Sequence, residues 1–494
     1  MSEREVVLRG GRVIDPESGL DGVRDVAIGR GRVVEIGSAL APGDAEFDVS
    51  GMVVTAGFVD LHSHAQDIAG LRLRACDGVT TALELEAGVT PVGAAYRMAA
   101  AEGRPVNYGF AASWALARME AVAAVGLDGT LLPFLLNVAS PDWQRPARQE
   151  EITAMLLRLS ADLADGAVGI GVLAGYAPAT DPDEYLQVAR LAAEAGAPTF
   201  THARDIREVA PEVVIDGADE IVQAAAETGA QMHFCHVNST SLDHIDRVLG
   251  VIARAQAAGA RVTVEAYPYG SGMTAIGAAF LAPERLAERG LSPSSLTYAP
   301  TGERVESAAR LRELRQSDPG GLVIIHVLDD DDPADRPLLL RSLLVPDTVV
   351  ASDAMPLTWA GSAPDPLAWP LPRGAVTHPR TAGTFSRALR LLSRGGGSGG
   401  GGPFTLAEAL AKCSLGPARL LQDRVPAMAR KGRLQQGSDA DIVVFDPDTI
   451  SDQATYADST RPSTGIRHVL VNGTFVVRDG ELVTDVLPGR PVRA

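Results

Sequence analysis

The pattern of apolar and polar positions changes twice along this chain of 494 residues. Residues 5 to 55 run as short Val- and Ile-rich pieces punctuated by Gly and Asp, VVLRGGRVID, DVAIGRGRVVEIG and EFDVSGMVVTAG, the texture of short strands joined by turns. The same texture returns at the far end in GSDADIVVFDP, IRHVLVNGTFVV and GELV. Neither end holds enough strands to bury a core alone, so the two are expected to pack together as one small β-sandwich.

Between the ends, short apolar runs alternate with helical stretches rich in Ala, Leu, Arg and Glu, such as ITAMLLRLSADLADG and EYLQVARLAAEAG. Eight runs read as strands: residues 58–64, 80–86, 106–114, 167–173, 198–203, 231–237, 261–269 and 347–355. Eight strand-helix repeats predict an α/β fold, a parallel (β/α)8 or TIM barrel, with its chemistry at the C-terminal ends of the strands. The expected layout is 1–55 and 424–494 for the two parts of the sandwich and 56–423 for the barrel. The gap before the eighth run is too long for one loop, which predicts an inserted subdomain or lid at about 282–345. RGGGSGGGGP at 394–403 reads as a flexible linker.

Composition adds exclusions. A hydrophobic content of 46% suits a folded chain with one large and one smaller domain. Forty-four basic residues against 62 acidic ones give a formal charge of −18, and with no basic block nucleic acid is not an expected partner. No run approaches the roughly 20 apolar residues of a membrane span, and MSEREVVLRGGRV has no apolar leader core, so a cytoplasmic protein without a membrane partner is expected. Cys76, Cys235 and Cys413 are odd in number and far apart, which suits small buried hydrophobes rather than a disulfide framework. A homo-oligomer is compatible with the sequence, which does not fix the oligomeric state. The only lysines are Lys412 and Lys431, so no mechanism can rely on a lysine in the first 400 residues.

Histidines carry the candidate chemistry. His62 and His64 are two apart at the end of the first strand, a spacing that turns both side chains to one face. His202 ends the fifth strand and His236 the sixth, so four of nine histidines fall at strand ends. Imidazoles in two pairs on separate strands suit one or two zinc ions. His233, three residues before His236, falls on the opposite face by strand periodicity and is assigned to packing. Asp353 ends the eighth strand; the alternative to a helix cap is a carboxylate that touches the metal and takes a proton from the attacking water.

These residues resemble a known family. AGFVDLHSH at 56–64, with Ala56 where the family pattern has proline, GVTT at 78–81, two strand-end histidines and the late Ser-Asp pair are similar to the amidohydrolase superfamily. Within it, YAP (176–178), THARD (201–205), EAYPYGSGMT (265–274), ASDAMP (351–356), HPRTAGTFSR (378–387) and DQAT (452–455) resemble the N-acyl-D-amino-acid deacylase branch. The resemblance implies zinc-dependent hydrolysis of an amide C–N bond in a small molecule, Asp353 as proton carrier, and Tyr176, Tyr267 and His378 against the substrate. The chain departs from that branch twice. Where the branch carries a cysteine ligand after the second strand, this chain reads LELEAG, so Glu86 becomes the expected bridging metal ligand and Glu84 the alternate. Where the branch has an HHK-like segment, this chain reads CHVN; Val237 binds no anion, so a substrate carboxylate would fall to Arg204 or Arg380. A cyclic amidase of the hydantoinase or dihydroorotase kind and a deaminase stay open as alternatives, and from another class so does a metal-binding protein without turnover.

Overall fold

A computed structural model of the chain describes residues 4–206, 216–359, 365–394 and 401–494. The N-terminal strands are β1 (Val6–Asp15), β2 (Leu20–Gly29), β3 (Arg32–Gly37), β4 (Ala45–Asp48) and β5 (Val53–Ala56). The barrel follows with β6 (Phe58–Asp60), β7 (Val79–Val89), β8 (Asn107–Ser113), β9 (Ile170–Leu173), β10 (Thr199–His202), β11 (Met232–Phe234) and β12 (Val262–Ala266). Next come β13 (Ser271–Ala275), β14 (Leu296–Tyr298), β15 (Glu303–Arg304) and β16 (Leu322–His326), then the eighth barrel strand β17 (Val349–Val350) and a short hairpin of β18 (Thr358–Trp359) and β19 (Ala375–Val376). The chain closes with β20 (Ile442–Phe445), β21 (Ile466–Val471), β22 (Thr474–Arg478) and β23 (Glu481–Leu482).

All eight expected barrel strands form and run parallel in the order β17-β12-β11-β10-β9-β8-β7-β6. The seam between β17 and β6 is joined just past the strand ends, where Ser63 bridges Ala354 and the His64 amide donates to the Ala354 carbonyl at 2.7 Å. The barrel therefore brings the end of its first strand against the end of its last. Helices cover the outside by ordinary amphipathic logic. Pro182–Glu194, for example, starts with Pro182 at its first position and Asp181 accepting from the Asp183 amide, and buries Tyr185, Val188, Ala189 and Ala192 at helical spacing.

The two chain ends do more than pack together. They hydrogen-bond into one nine-stranded sheet, with β20 antiparallel to β5 and Ile442 opposite Ala56. Alternate residues of β20 serve two cores, as a period of two requires. Ile442 and Val444 join Leu8, Val13, Val26 and Val54 inside the end domain. Val443 and Phe445 face Phe58, Leu71 and Phe385 of the barrel layer.

The segment between the seventh and eighth barrel strands carries its own antiparallel sheet, β13-β16-β14-β15. That sheet begins at Ser271, before the expected start near 282, because the chain turns straight from β12 into β13 and pairs Ser271–Ala275 with Leu322–His326. Most of the expected linker, residues 395–400, lies outside the described residues. No helix among the described residues is long and apolar enough to cross a membrane.

Candidate metal centre

His62, His64, Glu86, His202, His236 and Asp353 converge at the C-terminal mouth of the barrel. The ring nitrogens His62 Nε2 and His64 Nε2 lie 3.1 Å apart. Glu86 Oε2 is 3.2 Å from the first and 3.6 Å from the second, and Asp353 Oδ1 is 3.4 and 3.5 Å from the same pair. The other oxygen, Glu86 Oε1, is 2.6 Å from His236 Nε2 and 3.1 Å from His202 Nδ1. Glu86 thus belongs to two donor groups, one with His62 and His64 and one with His202 and His236, each closely enough spaced to hold a cation. A third group, His62, His236 and Asp353, ties the two together.

Glu86 reaches this position because β7 leaves its ladder. Its pairing with β8 runs regularly to Glu84 opposite Phe110 and resumes only at Val89 opposite Ala112. The released residues swing over Gly171 of β9, where a Cβ would sit 2.3 Å from the Glu86 carbonyl oxygen. A side chain at Gly171 would collide with that backbone. Glu84 stays in the ladder and lies behind His64, with its carboxylate oxygens 2.8 and 3.0 Å from Nδ1.

Glu265 is the residue the sequence reading missed. From β12 it places Oε1 2.5 Å from His62 Nδ1 and Oε2 3.0 Å from His233 Nε2. His233, assigned from periodicity to packing, therefore belongs to a buried chain His62–Glu265–His233, and its Nδ1 meets Thr263 Oγ1 at 2.8 Å. Strand periodicity does not reach His236. β11 ends at Phe234, and His236 enters the mouth through a left-handed backbone with φ 33°. The available signal was an acidic residue within the apolar run RVTVEAYPY, two positions on from Thr263 and so on the same face. Cys235 is buried beside Glu265, where burial together with that carboxylate pushes its thiol well above the ordinary range, and with His62 and Glu265 it makes a further closely spaced donor group.

Four carboxylates, Glu84, Glu86, Glu265 and Asp353, are buried around these imidazoles. Burial disfavours charge on His62 and His64, yet the neighbouring carboxylates outweigh it and hold both well above the usual imidazole value. Burial likewise opposes charge on Glu86, and His62, His236 and His202 overcome it to hold Glu86 well below the usual carboxylate range. So dense a set of buried acids calls for positive charge, and N/O donors in this number suit a late divalent metal.

Asp353 also has a left-handed backbone, φ 50°. Its Oδ2 receives the Arg380 guanidinium at 2.7 Å while Oδ1 faces the histidines. Burial is outweighed first by Arg380 and then by His62, which keeps the carboxyl below its ordinary value. Arg380 is fully buried, stacks over Tyr267 at 4.7 Å, and has no hydrogen bond at Nη1 among the described residues.

The remaining expected residues divide. Tyr176 and Tyr267 line the cavity over the cluster, about 100 Å³ in volume. Arg204 does not; it forms a two-pronged pair with Glu220 at 2.8 and 3.0 Å and donates to the Pro178 carbonyl. His378 and Arg380 are also absent from that wall: Arg380 lies behind Asp353, and His378 is packed between Tyr269 and Tyr456 with its Nδ1 accepting from the Arg380 amide.

A family model described as the amidohydrolase family matches residues 45–477, most of the chain. The chain belongs to the amidohydrolase family. An N-acyl-D-glutamate deacylase of Alcaligenes xylosoxydans xylosoxydans is 29% identical to it over 96% of this chain and 93% of the relative. The crystal structure of an N-acyl-D-glutamate deacylase from Bordetella bronchiseptica, complexed with zinc and a phosphonate mimic of the tetrahedral intermediate, superposes with a TM-score of 0.75 at 26% identity, covering 100% of both chains. A D-hydantoinase from a Thermus species shares the fold at a TM-score of 0.62 and 18% identity over 99% of this chain and 98% of that one. The full-length matches put this amidohydrolase on the D-aminoacylase-like branch, and it is a hydrolase of amide C–N bonds.

Proposed function

We propose that this amidohydrolase is a zinc-dependent deacylase of N-acyl amino acids, with Glu86 joining two metal positions and Asp353 carrying the proton. The observation that carries the reading is the division of Glu86, one oxygen toward His62 and the other toward His202 and His236, with Asp353 facing the same cluster from across the barrel seam. His62, His64 and Glu86 would hold one ion, and Glu86, His202 and His236 a second. Zinc at such donors supplies Lewis acidity toward a carbonyl oxygen and lowers the pKa of water toward neutrality.

The rest is the work of the chain's own groups. Arg380 fixes Asp353 Oδ2, so Oδ1 is the oxygen left to accept a proton from the attacking water and return it to the leaving nitrogen. Glu265 and Glu84 hold the outer nitrogens of His62 and His64 and so set the direction of the inner ones. Of the two arginines expected at a substrate carboxylate, Arg204 is spent on Glu220, and Arg380, which stands behind Asp353 rather than in the cavity wall, keeps an Nη1 without a hydrogen bond among the described residues and is the candidate. Tyr267, beneath the Arg380 plane, and Tyr176 stand in the wall of the cavity over the cluster.

The test is turnover by the zinc-loaded enzyme of N-acyl amino acids of both chiralities, beside hydantoin and dihydroorotate. Release of free amino acid from the first group alone is the expected result. Ring opening alone would move the chain to the cyclic amidases. Tight metal binding without turnover of any compound would make it a binding protein.

A further inference from the structure

Two cavities meet at the metal cluster. Both are walled by His64, Glu86, Tyr176, Thr274 and Met355, and they diverge from there. The larger also touches Asp353, His202 and His236 and runs along Phe280 and Leu291 to Val327, which is exposed at the surface. The smaller, about 50 Å³, is walled further by Leu131, Phe134, Leu135, Leu173, Leu322 and Pro356 and, among the described residues, meets no charged side chain beyond His64 and Glu86. Where the two share a wall, the Tyr176 hydroxyl and Thr274 Oγ1 are hydrogen-bonded to each other at 2.5 Å.

An amide has two ends, and Asp353 decides which end goes where. The leaving nitrogen must come within reach of the carboxylate that protonates it, and Asp353 lines the larger cavity but not the smaller. The amine therefore occupies the larger cavity and departs through its open end, and the acyl group projects into the smaller one. Resting on the deacylase reading above, we propose that the smaller cavity is an acyl subsite that selects aliphatic acyl groups longer than acetyl. Its wall offers a polar acyl group little, because the polar side chains it adds to the cluster, Tyr176 and Thr274, satisfy each other. Its volume is several times the roughly 10–15 Å³ that holds one water, which leaves room for a short run of methylene groups.

The experiment is kcat/KM for the N-acetyl, N-propanoyl, N-butanoyl and N-hexanoyl forms of one amino acid. Each methylene taken out of water should raise it by up to about fourfold, from acetyl to butanoyl, before the cavity fills. Leu135→Trp and Leu131→Trp, both at half-buried positions, should collapse the butanoyl-to-acetyl ratio toward one, with folding checked by circular dichroism. A flat or falling wild-type series overturns the subsite, and that series decides the matter by itself if neither variant folds. An unchanged ratio in both folded variants also overturns it. So does a response of the two variants to the amino-acid side chain instead of the acyl chain, which would put the amine in the smaller cavity. Turnover with a flat series removes the subsite alone, whereas no turnover of any N-acyl amino acid removes the deacylase reading with it.

Discussion

His62 and His64, at the end of the first barrel strand, each have an outer ring nitrogen held by a buried carboxylate, Glu265 at 2.5 Å and Glu84 at 2.8 Å. Across the mouth the support is lighter. Among the described residues His236 Nδ1 meets only the Thr240 hydroxyl, at 3.0 Å, on a short helix entered and left through positive φ at His236 and Leu242. His202 turns its Nδ1 toward Glu86 itself. A carboxylate behind an imidazole fixes the ring and raises its basicity, so the His62–His64 half is organised before metal arrives and the His202–His236 half depends more on the metal to order it. The two positions should therefore bind metal unequally, with Glu86 as the one residue common to both donor groups.

The harshest way to break the comparison is to remove the shared residue. Glu86→Ala should strip at least one metal and abolish activity, read by elemental analysis and rate, whereas Glu84→Gln should keep full stoichiometry in excess metal. Stoichiometry lost in Glu84→Gln and kept in Glu86→Ala would move the bridge to Glu84. Next in size is Asp353→Asn, which should keep the fold and most of the metal while lowering kcat at least about a hundredfold, the scale of losing a general acid-base. Near wild-type turnover in that variant would remove Asp353 from the chemistry.

Glu265→Gln should weaken metal at the His62–His64 position about 10- to 100-fold, as measured by chelator competition. Thr240→Ala should change the other position less, because a neutral hydroxyl restrains its ring more weakly than a carboxylate. Equal shifts in the two variants would mean that the halves are alike. The smallest effect on substrate should come from Arg204→Met. That change leaves Glu220 buried without its partner, so it should cost stability of about 3–5 kcal/mol in denaturant unfolding and leave KM where it was. A raised KM at unchanged stability would return Arg204 to substrate binding.

Much of this architecture is written locally. Short apolar runs alternating with amphipathic helices identify the eight strands, since each element must bury its own apolar face whatever surrounds it. The barrel then makes the strand ends converge, and for that reason His62, His64, His202, His236 and Asp353 are legible as a group before any coordinate is known. The sheet from β13 to β16 was less legible. Its start at Ser271 depends on pairing with Leu322–His326 far along the chain, and no local pattern marks that partner.

The fine structure of the site lies further beyond the sequence. Strand periodicity gives Glu84 and Glu86 the same face and gives His233 and His236 opposite ones, but periodicity holds only inside a regular ladder. Beyond Glu84 the ladder opens, and whether it can open depends on Gly171, a residue of another strand that leaves space for the displaced backbone. Glu265 bonds to His62 and His233 because β12 lies beside β11 and, once β17 closes against β6, only one strand away from β6, a relation set by closure rather than by any spacing along the chain. The alternation of strands and helices, the joining of the β-rich ends and the residue types at the strand ends can be read along the chain, because these follow from propensity and burial over short windows. Which carboxylate lies between the histidines, which arginine fixes Asp353 and which acid orients His62 come from the folded arrangement alone, because each of these is a distance of a few ångströms between residues far apart along the chain.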